Sequence, residues 1–206
     1  MATATVNKHQ ARTQVTREEL LLAAEEIFVR DGFEGAQVEE IAVLAGRTKG
    51  AVYAHFENKE DLFLAVCGER TKAHIQRFVD MLRNCKTADD KLNRFREFYL
   101  DLPRYRAWAL LSLEFKLYHI RHPEALERLR HRVSDKREER EIYQHIFGAG
   151  SKKHRSKFEL AAAALWSVLE GLVVESCFEP ELLSEQTLRK LLGTIFDSLL
   201  MPSRSE

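Results

Sequence analysis

Glycine and proline are scarce, with 9 and 4 in 206 residues. A chain of many short strands needs breakers at its turns, so this scarcity argues against a sandwich or barrel and for an all-α protein. Cysteine is scarce too. Cys67, Cys85 and Cys177 are far apart, odd in number and without a CxxC pair. That excludes a disulfide framework and fits a reducing, cytoplasmic setting. An excess of one charge is missing, because 32 Lys and Arg balance 32 Asp and Glu. Net charge therefore gives no hint of a nucleic-acid or membrane partner. No apolar run approaches the ~18–20 residues of a membrane span, and Met1 to Gln14 lacks the apolar stretch of a secretory signal. What remains is 45% apolar and 31% charged residues, the balance of a soluble globular protein of one or two domains.

Apolar spacing predicts helices from end to end. Residues 1–15 carry no apolar period and read as a flexible arm. Thr16 and Glu19 stand at capping-box spacing, followed by Leu20, Ala23, Ala24, Ile27 and Phe28 on one helical face. Gly32 ends that helix, and a second face at Val38, Ile41, Ala42 and Ala45 is closed by Gly46. Thr48 caps a short element with Val52 and Phe56 on one side. Asn58 caps a longer helix running past Ile75 and Phe78 to Leu82. Leu92, Phe95, Tyr99 and Leu100 mark a further helix, interrupted at Pro103. Trp108, Leu111, Phe115 and Tyr118 mark another, stopped at Pro123. The stretch 124–147 reads as a solvent-facing helix, and Gly148 to Arg155 as a loop. Two strongly apolar helices close the chain, about 158–178 and 185–200. Both are apolar on more than one side, which calls for cover on more than one side. The same pair from a second subunit is the simplest cover, giving a four-helix homodimer interface, with a central place in a monomeric bundle as the alternative.

The element after Thr48 carries the most information. A helix over 38–45, a turn at Gly46-Arg47 and a second short helix have the layout of a helix-turn-helix. From Thr48 to His55 the one large aliphatic residue is Val52; the others include Lys49, Gly50, Ala51, Tyr53 and Ala54. Small residues allow close approach of the backbone, and Lys49, Tyr53 and His55 offer partners for phosphate oxygens. The first N–H groups of the helix favour an anion. Such a helix suits a major groove. Against this, residues 1–60 hold seven basic and ten acidic residues, whereas DNA-binding surfaces are basic. The acids fall mostly on the first helix and the start of the second, leaving Arg47, Lys49 and Lys59 around the short helix. From these residues alone, an ordinary three-helix packing unit remains open beside the helix-turn-helix.

The stretch from Thr16 to Phe63 includes Ala-Ala-Glu-Glu-Ile-Phe, Asp-Gly-Phe-Glu-Gly, Val-Glu-Glu-Ile-Ala and Ala-Gly-Arg-Thr-Lys-Gly-Ala-Val-Tyr-Ala-His-Phe-Glu-Asn-Lys-Glu-Asp-Leu-Phe. It closely resembles the N-terminal DNA-binding domain of the tetracycline-repressor (TetR) family. The remainder resembles that family in layout only. The resemblance implies a three-helix DNA-binding domain over 16–62 and a ligand-binding and dimerisation domain over 63–206. It also implies that Thr48 and Lys49 meet phosphate and a base edge, and that Gly50 and Ala51 lie closest to the bases. Tyr53, His55 and Lys59 are expected on the DNA backbone, and Phe56 in a structural role. Two positions depart from the family pattern. Gln37 stands where Ser or Thr is usual, and can still reach a phosphate. Arg47 stands where an aliphatic residue is common, and can add a base or phosphate contact.

For the second domain, the resemblance implies a small-molecule effector. Phe95, Phe98, Tyr99, Trp108, Phe115 and Tyr118 are candidates to line its pocket, with core packing the competing reading for each. Glu114, set in an apolar helix, either faces solvent or selects a cationic or hydrogen-bonding ligand, and Glu170 raises the same question. His119 and His122 lie at metal-ligand spacing, but no third ligand is nearby, so no metal and no cofactor is expected. GxSxG, HExxH and GxxxxGK[ST] are all missing, which argues against an enzyme. The expectation is a ligand-responsive, homodimeric repressor that binds a palindromic operator and is released by an inducer. The alternative is a dimeric helical adaptor whose N-terminal unit binds protein.

Overall fold

The computed structural model describes residues 8–133, 137–148 and 152–201. Among them there are helices and turns and no strand. The chain divides into two compact units, Met1–Lys72 and Ala73–Glu206.

In the first unit, α1 spans Lys8–Gly35 with a break at Gly32, whose φ of 76° is the left-handed geometry that glycine adopts without a Cβ penalty. The helix therefore begins well before the expected Thr16, which lies inside it and is not a cap. Lys, Gln, Ala and Arg before Thr16 are good helix formers with no breaker among them, so nothing stops the helix there. The rest of the expected arm, residues 1–7, lies outside the described residues. α2 (Val38–Leu44) and α3 (Lys49–His55) follow, then α4 (Lys59–Leu82), which carries residues of both units. Leu20, Ala24, Ile27 and Phe28 of α1 are buried with Ile41, Val52, Phe56 and Leu62. Phe63 meets Phe28 edge-on at 5.1 Å and Phe33 at 5.3 Å. Such pairs are worth roughly 0.5–1.5 kcal/mol each beyond their burial.

The second unit continues with α5 (Ala88–Asp101), a 3-10 turn at Leu102–Tyr105 containing Pro103, α6 (Arg106–Arg121) and α7 (Pro123–Val133). It ends with α8 (Arg137–Phe147), α9 (Lys152–Phe178) and α10 (Glu185–Leu200). A complete capping box starts α5: Asp90 N–H donates to Thr87 Oγ1 at 3.0 Å, and Thr87 N–H to Asp90 Oδ2 at 3.1 Å. Hydrogen bonds to its carboxylate from the Thr87 hydroxyl and then the Thr87 N–H hold the Asp90 carboxyl below its ordinary pKa.

Two expectations for residues 124–155 need correction. The stretch 124–147 is two helices, and α8 is not merely a solvated one, because Tyr143 and Ile146 are buried. Tyr143 packs edge-on against Phe158 at 5.5 Å, and its hydroxyl bonds to His154 Nδ1 at 2.9 Å. The basic run Lys152 to Arg155 is the first turn of α9 rather than a loop; residues 149–151 lie outside the described residues.

α9 buries Phe158, Ala161, Leu165, Leu169 and Val173 at helical spacing, and α10 buries Leu188, Leu192 and Phe196. They pack with Phe78, Phe95, Phe98 and Tyr99 into one core. Other apolar residues of the same region are exposed, notably Leu160 at 73%, Phe178 at 77% and Leu182 at 68%. By length and composition α9 is apolar enough to cross a membrane, contrary to the expectation that no segment approaches this. It nevertheless contributes a buried stripe to the core and carries Glu170 in an ion pair with Lys116 of α6.

Candidate nucleic-acid interface

The turn between α2 and α3 follows from Gly46, at φ 65°. Arg47 N–H reaches back to Ala42 C=O at 2.8 Å, and Gly46 N–H to Val43 C=O at 3.0 Å. These are the two bonds of a Schellman motif, which satisfy carbonyls the helix leaves open and need a left-handed residue between them. Thr48 then has extended backbone, and its Oγ1 accepts from Ala51 N–H at 3.2 Å. This N-cap starts α3 as expected. Val52, 1% exposed, anchors the helix. Phe56 follows it in extended backbone, buried, with the Arg17 guanidinium 5.3 Å from its ring centre. Asn58 Oδ1 accepts from Asp61 N–H at 2.8 Å and starts α4.

With Val52 turned inward, α3 presents a polar and small-residue surface. Thr48, Lys49, Gly50 and Tyr53 are exposed, and Ala51 and His55 are half-buried. The Lys49 ammonium lies 5.8 Å from the Tyr53 ring centre. Gly50 has open space about it, since a Cβ there would meet only Thr48 Oγ1, at 3.8 Å. Gln37 is the exposed N-cap residue of α2 and makes no side-chain cap bond. Lys59 stands apart from these: its ammonium donates to the carbonyls of Glu34 at 3.0 Å and Ala36 at 3.2 Å, over the Phe33 ring. It ties the end of α1 to the start of α4.

Two acids belong to this surface: Glu39, which the sequence pattern did not single out, and Glu19, which it placed in a capping box with Thr16. Lys49 Nζ donates to Glu39 of α2, and Arg47 Nη2 to Glu19 of α1, with Arg47 Nε also on Glu19 at 3.0 Å. The hydrogen bond to Glu39 raises the Lys49 pKa, and the same bond lowers that of Glu39. Nearby, Arg30 bonds both Asp31 and Glu40, which raises the Arg30 pKa, the bond to Asp31 first. The acid excess of residues 1–60 was the available signal, but it does not identify which carboxylate meets which cation.

The aromatic candidates of the second unit fall into two groups. Phe95 and Tyr99 lie in the core against Phe196, with ring centres 5.4 and 5.7 Å away, and Phe98 packs on Phe78 at 5.5 Å. Trp108, Glu114, Phe115 and Tyr118 lie on α6, with Phe115 buried and the others half-buried. The His119 ring lies 4.1 Å from Phe115 and 5.1 Å from Tyr118. His119 Nδ1 is bonded to Phe115 C=O at 2.8 Å, and His122 is 3.9 Å from Glu124. Glu170 is buried and accepts from Lys116 Nζ and from Trp166 Nε1, at 2.7 and 2.8 Å.

Residues 20–66 match the family model described as bacterial regulatory proteins, tetR family. The chain is 43% identical over 63 residues to the HTH-type transcriptional repressor BepR of Brucella suis, covering 31% of this chain and 30% of that protein. The chain likewise spans 28% to 38% of three further curated relatives. Among solved structures, a transcriptional regulator of Rhodococcus sp. Rha1 superposes with a TM-score of 0.62 at 23% identity, covering 90% of this chain and 96% of that one. The Bacillus subtilis regulator FadR, solved with stearoyl-CoA, gives 0.54 at 19% identity, over 89% and 97% of the two chains. These likenesses do not favour the adaptor alternative.

Proposed function

We propose that this chain, a TetR-family transcriptional regulator by its DNA-binding domain, acts as a cytoplasmic homodimeric repressor of a palindromic operator. Residues 16–62 read DNA, and residues 63–206 dimerise and bind a small-molecule inducer. The observation that carries the reading is α3, whose single large aliphatic residue is buried while Thr48, Lys49, Gly50 and Tyr53 stay exposed. A helix with that surface fits a major groove: Gly50 and Ala51 allow close approach, Lys49 and Arg47 meet phosphate or a base edge, and Gln37, Thr48, Tyr53 and His55 hold the backbone. A contact from Lys59 would share its ammonium with the Glu34 and Ala36 carbonyls.

Dimerisation is assigned to α9 and α10. α9, α10 and the segment between them leave Leu160, Trp166, Phe178, Leu182, Leu191 and Leu199 exposed, and large exposed apolar surface of this kind marks an interaction site. A dimer places two copies of α3 on half-sites roughly 34–36 Å apart in the simplest case. The inducer binds among the α6 residues Trp108, Glu114, Phe115 and Tyr118, while Phe95 and Tyr99, packed on Phe196, would have to give up core contacts to reach it. It favours a spacing of the two heads that no longer fits the operator.

Selection of bound fragments from the host genome, at two salt concentrations, tests the reading. The expected result is a recurring palindrome whose recovery falls at the higher salt. Failure to recover one with protein refolded free of ligand overturns it. Sedimentation supplies the second arm: a dimer is expected, and Leu191→Arg should yield monomer.

A further inference from the structure

We propose that Glu39 and Glu19 are resident counter-ions of the reading surface. They occupy the places of DNA phosphates on Lys49 and Arg47, so DNA binding is an exchange of carboxylate for phosphate. The proposal rests on the reading of α3 given above.

The geometry places one carboxylate on each of the two cations that flank the start of α3. Glu39 lies on α2 and reaches Lys49 across the turn; Glu19 lies on α1 and reaches Arg47. The Arg47 pairing follows from its place in the Schellman turn. The residue after the left-handed glycine commonly makes an apolar contact back to the helix. Arg47 holds that position here and turns its guanidinium to Glu19 instead. Both pairs are open to water: Lys49 and Glu39 side chains are 52% and 57% exposed, Arg47 and Glu19 37% and 42%. Exposed pairs of this kind are weak, so a phosphate can displace the carboxylate. While in place, each carboxylate cancels a charge that would otherwise attract any duplex. Two of the ten acids of residues 1–60 are thus placed on the cations beside α3.

The consequence is measurable in the salt dependence of binding. Each cation that neutralises a phosphate steepens the slope of log K against log salt by about 0.9. On a random-sequence duplex, where no phosphate is held in place to displace the carboxylate, the Lys49–Glu39 pair stays together and contributes little, because its net charge is zero. Glu39→Gln should therefore steepen the slope for a random-sequence duplex by about 0.9 per head. It should tighten binding roughly tenfold per head near 0.1 M salt. Glu19→Gln should act alike through Arg47.

The deciding comparison is Glu39→Gln in a Lys49→Ala background, where the increment is expected to vanish. An increment that persists there reflects the general field of the surface and overturns the pairing. So does an unchanged slope in Glu39→Gln while Lys49→Ala weakens binding. If Lys49→Ala itself leaves binding to random and selected duplexes unaltered, the reading of α3 has failed instead. Unchanged melting temperatures establish that these exposed variants are folded.

Discussion

Arg96 crosses α10 directly over Gly193: a Cβ added at Gly193 would lie 2.6 Å from Arg96 Nη2. The missing side chain lets the guanidinium fork reach Asp197, donating from Nε at 2.6 Å and from Nη2 at 2.9 Å. This bond raises the Arg96 pKa and ties α5 to α10 beside the buried Phe196. Glycine in mid-helix costs about 1 kcal/mol relative to alanine, and a half-exposed ion pair is worth about as much or less. Gly193→Ala alone should therefore be near neutral. In an Arg96→Ala background the same change should stabilise by about 1 kcal/mol, raising Tm by roughly 2–4 °C. Equal effects in the two backgrounds would show that the fork does not depend on the glycine.

Tyr99 offers a second test of the same core. Its hydroxyl donates to Leu165 C=O of α9 at 2.7 Å, and the residue is 3% exposed. Tyr99→Phe should lower stability by about 1 kcal/mol, read as a fall in Tm. Burial raises the phenol pKa above its ordinary value. A raised folded pKa means that the contribution is complete below the unfolded value, about pH 10, and is lost as pH rises further. The wild-type advantage over Tyr99→Phe should therefore shrink in strong base. An advantage constant with pH would contradict the buried-donor assignment.

These features were unequally legible in the sequence. Thr48, Asn58 and the Gly46 turn act on backbone groups three to five residues away, so their chemistry is written locally. Thr16 had the same local pattern and misled, because a cap also requires the preceding residues to leave the helix, and here they continue it. The burial of Tyr143 depends on Phe158 and His154 of another helix. The Glu39–Lys49 and Glu19–Arg47 pairs join residues 10 and 28 apart. Neither spacing is periodic in one helix, and only the folded turn creates them.

The buried Glu170 predicts an asymmetry between two substitutions. Its side chain is 7% exposed, whereas Lys116 is 44% exposed. Lys116→Met leaves a buried carboxylate with the Trp166 N–H and no cation. It should cost roughly 1–3 kcal/mol, below the range for fully buried pairs because the lysine already meets water. Glu170→Gln keeps an acceptor for Trp166 and removes the charge. Added to Lys116→Met it should restore most of the loss in thermal melts. No recovery in the double variant would mean that packing of the lysine stem, not the charge, carries the effect.

The last prediction separates residues that read DNA from those that hold the reading helix. Tyr53 is 47% exposed and Lys49 lies on the surface beside it. Tyr53→Phe and Lys49→Ala should both weaken DNA binding while leaving Tm and the dimer nearly unchanged. On the selected operator, where phosphate takes the place of Glu39, Lys49→Ala should also lower the salt slope by up to about 0.9 per lost phosphate contact. Thr48→Ala should differ, because Thr48 Oγ1 caps α3. Loss of a cap costs about 1 kcal/mol, so Tm and DNA affinity should fall together. Lys59→Ala should behave as a structural variant, lowering Tm through loss of its bonds to the Glu34 and Ala36 carbonyls. Thermal melts paired with binding isotherms on one duplex distinguish the classes. If Tyr53→Phe and Lys49→Ala both retain full affinity, α3 is not the helix that enters the groove.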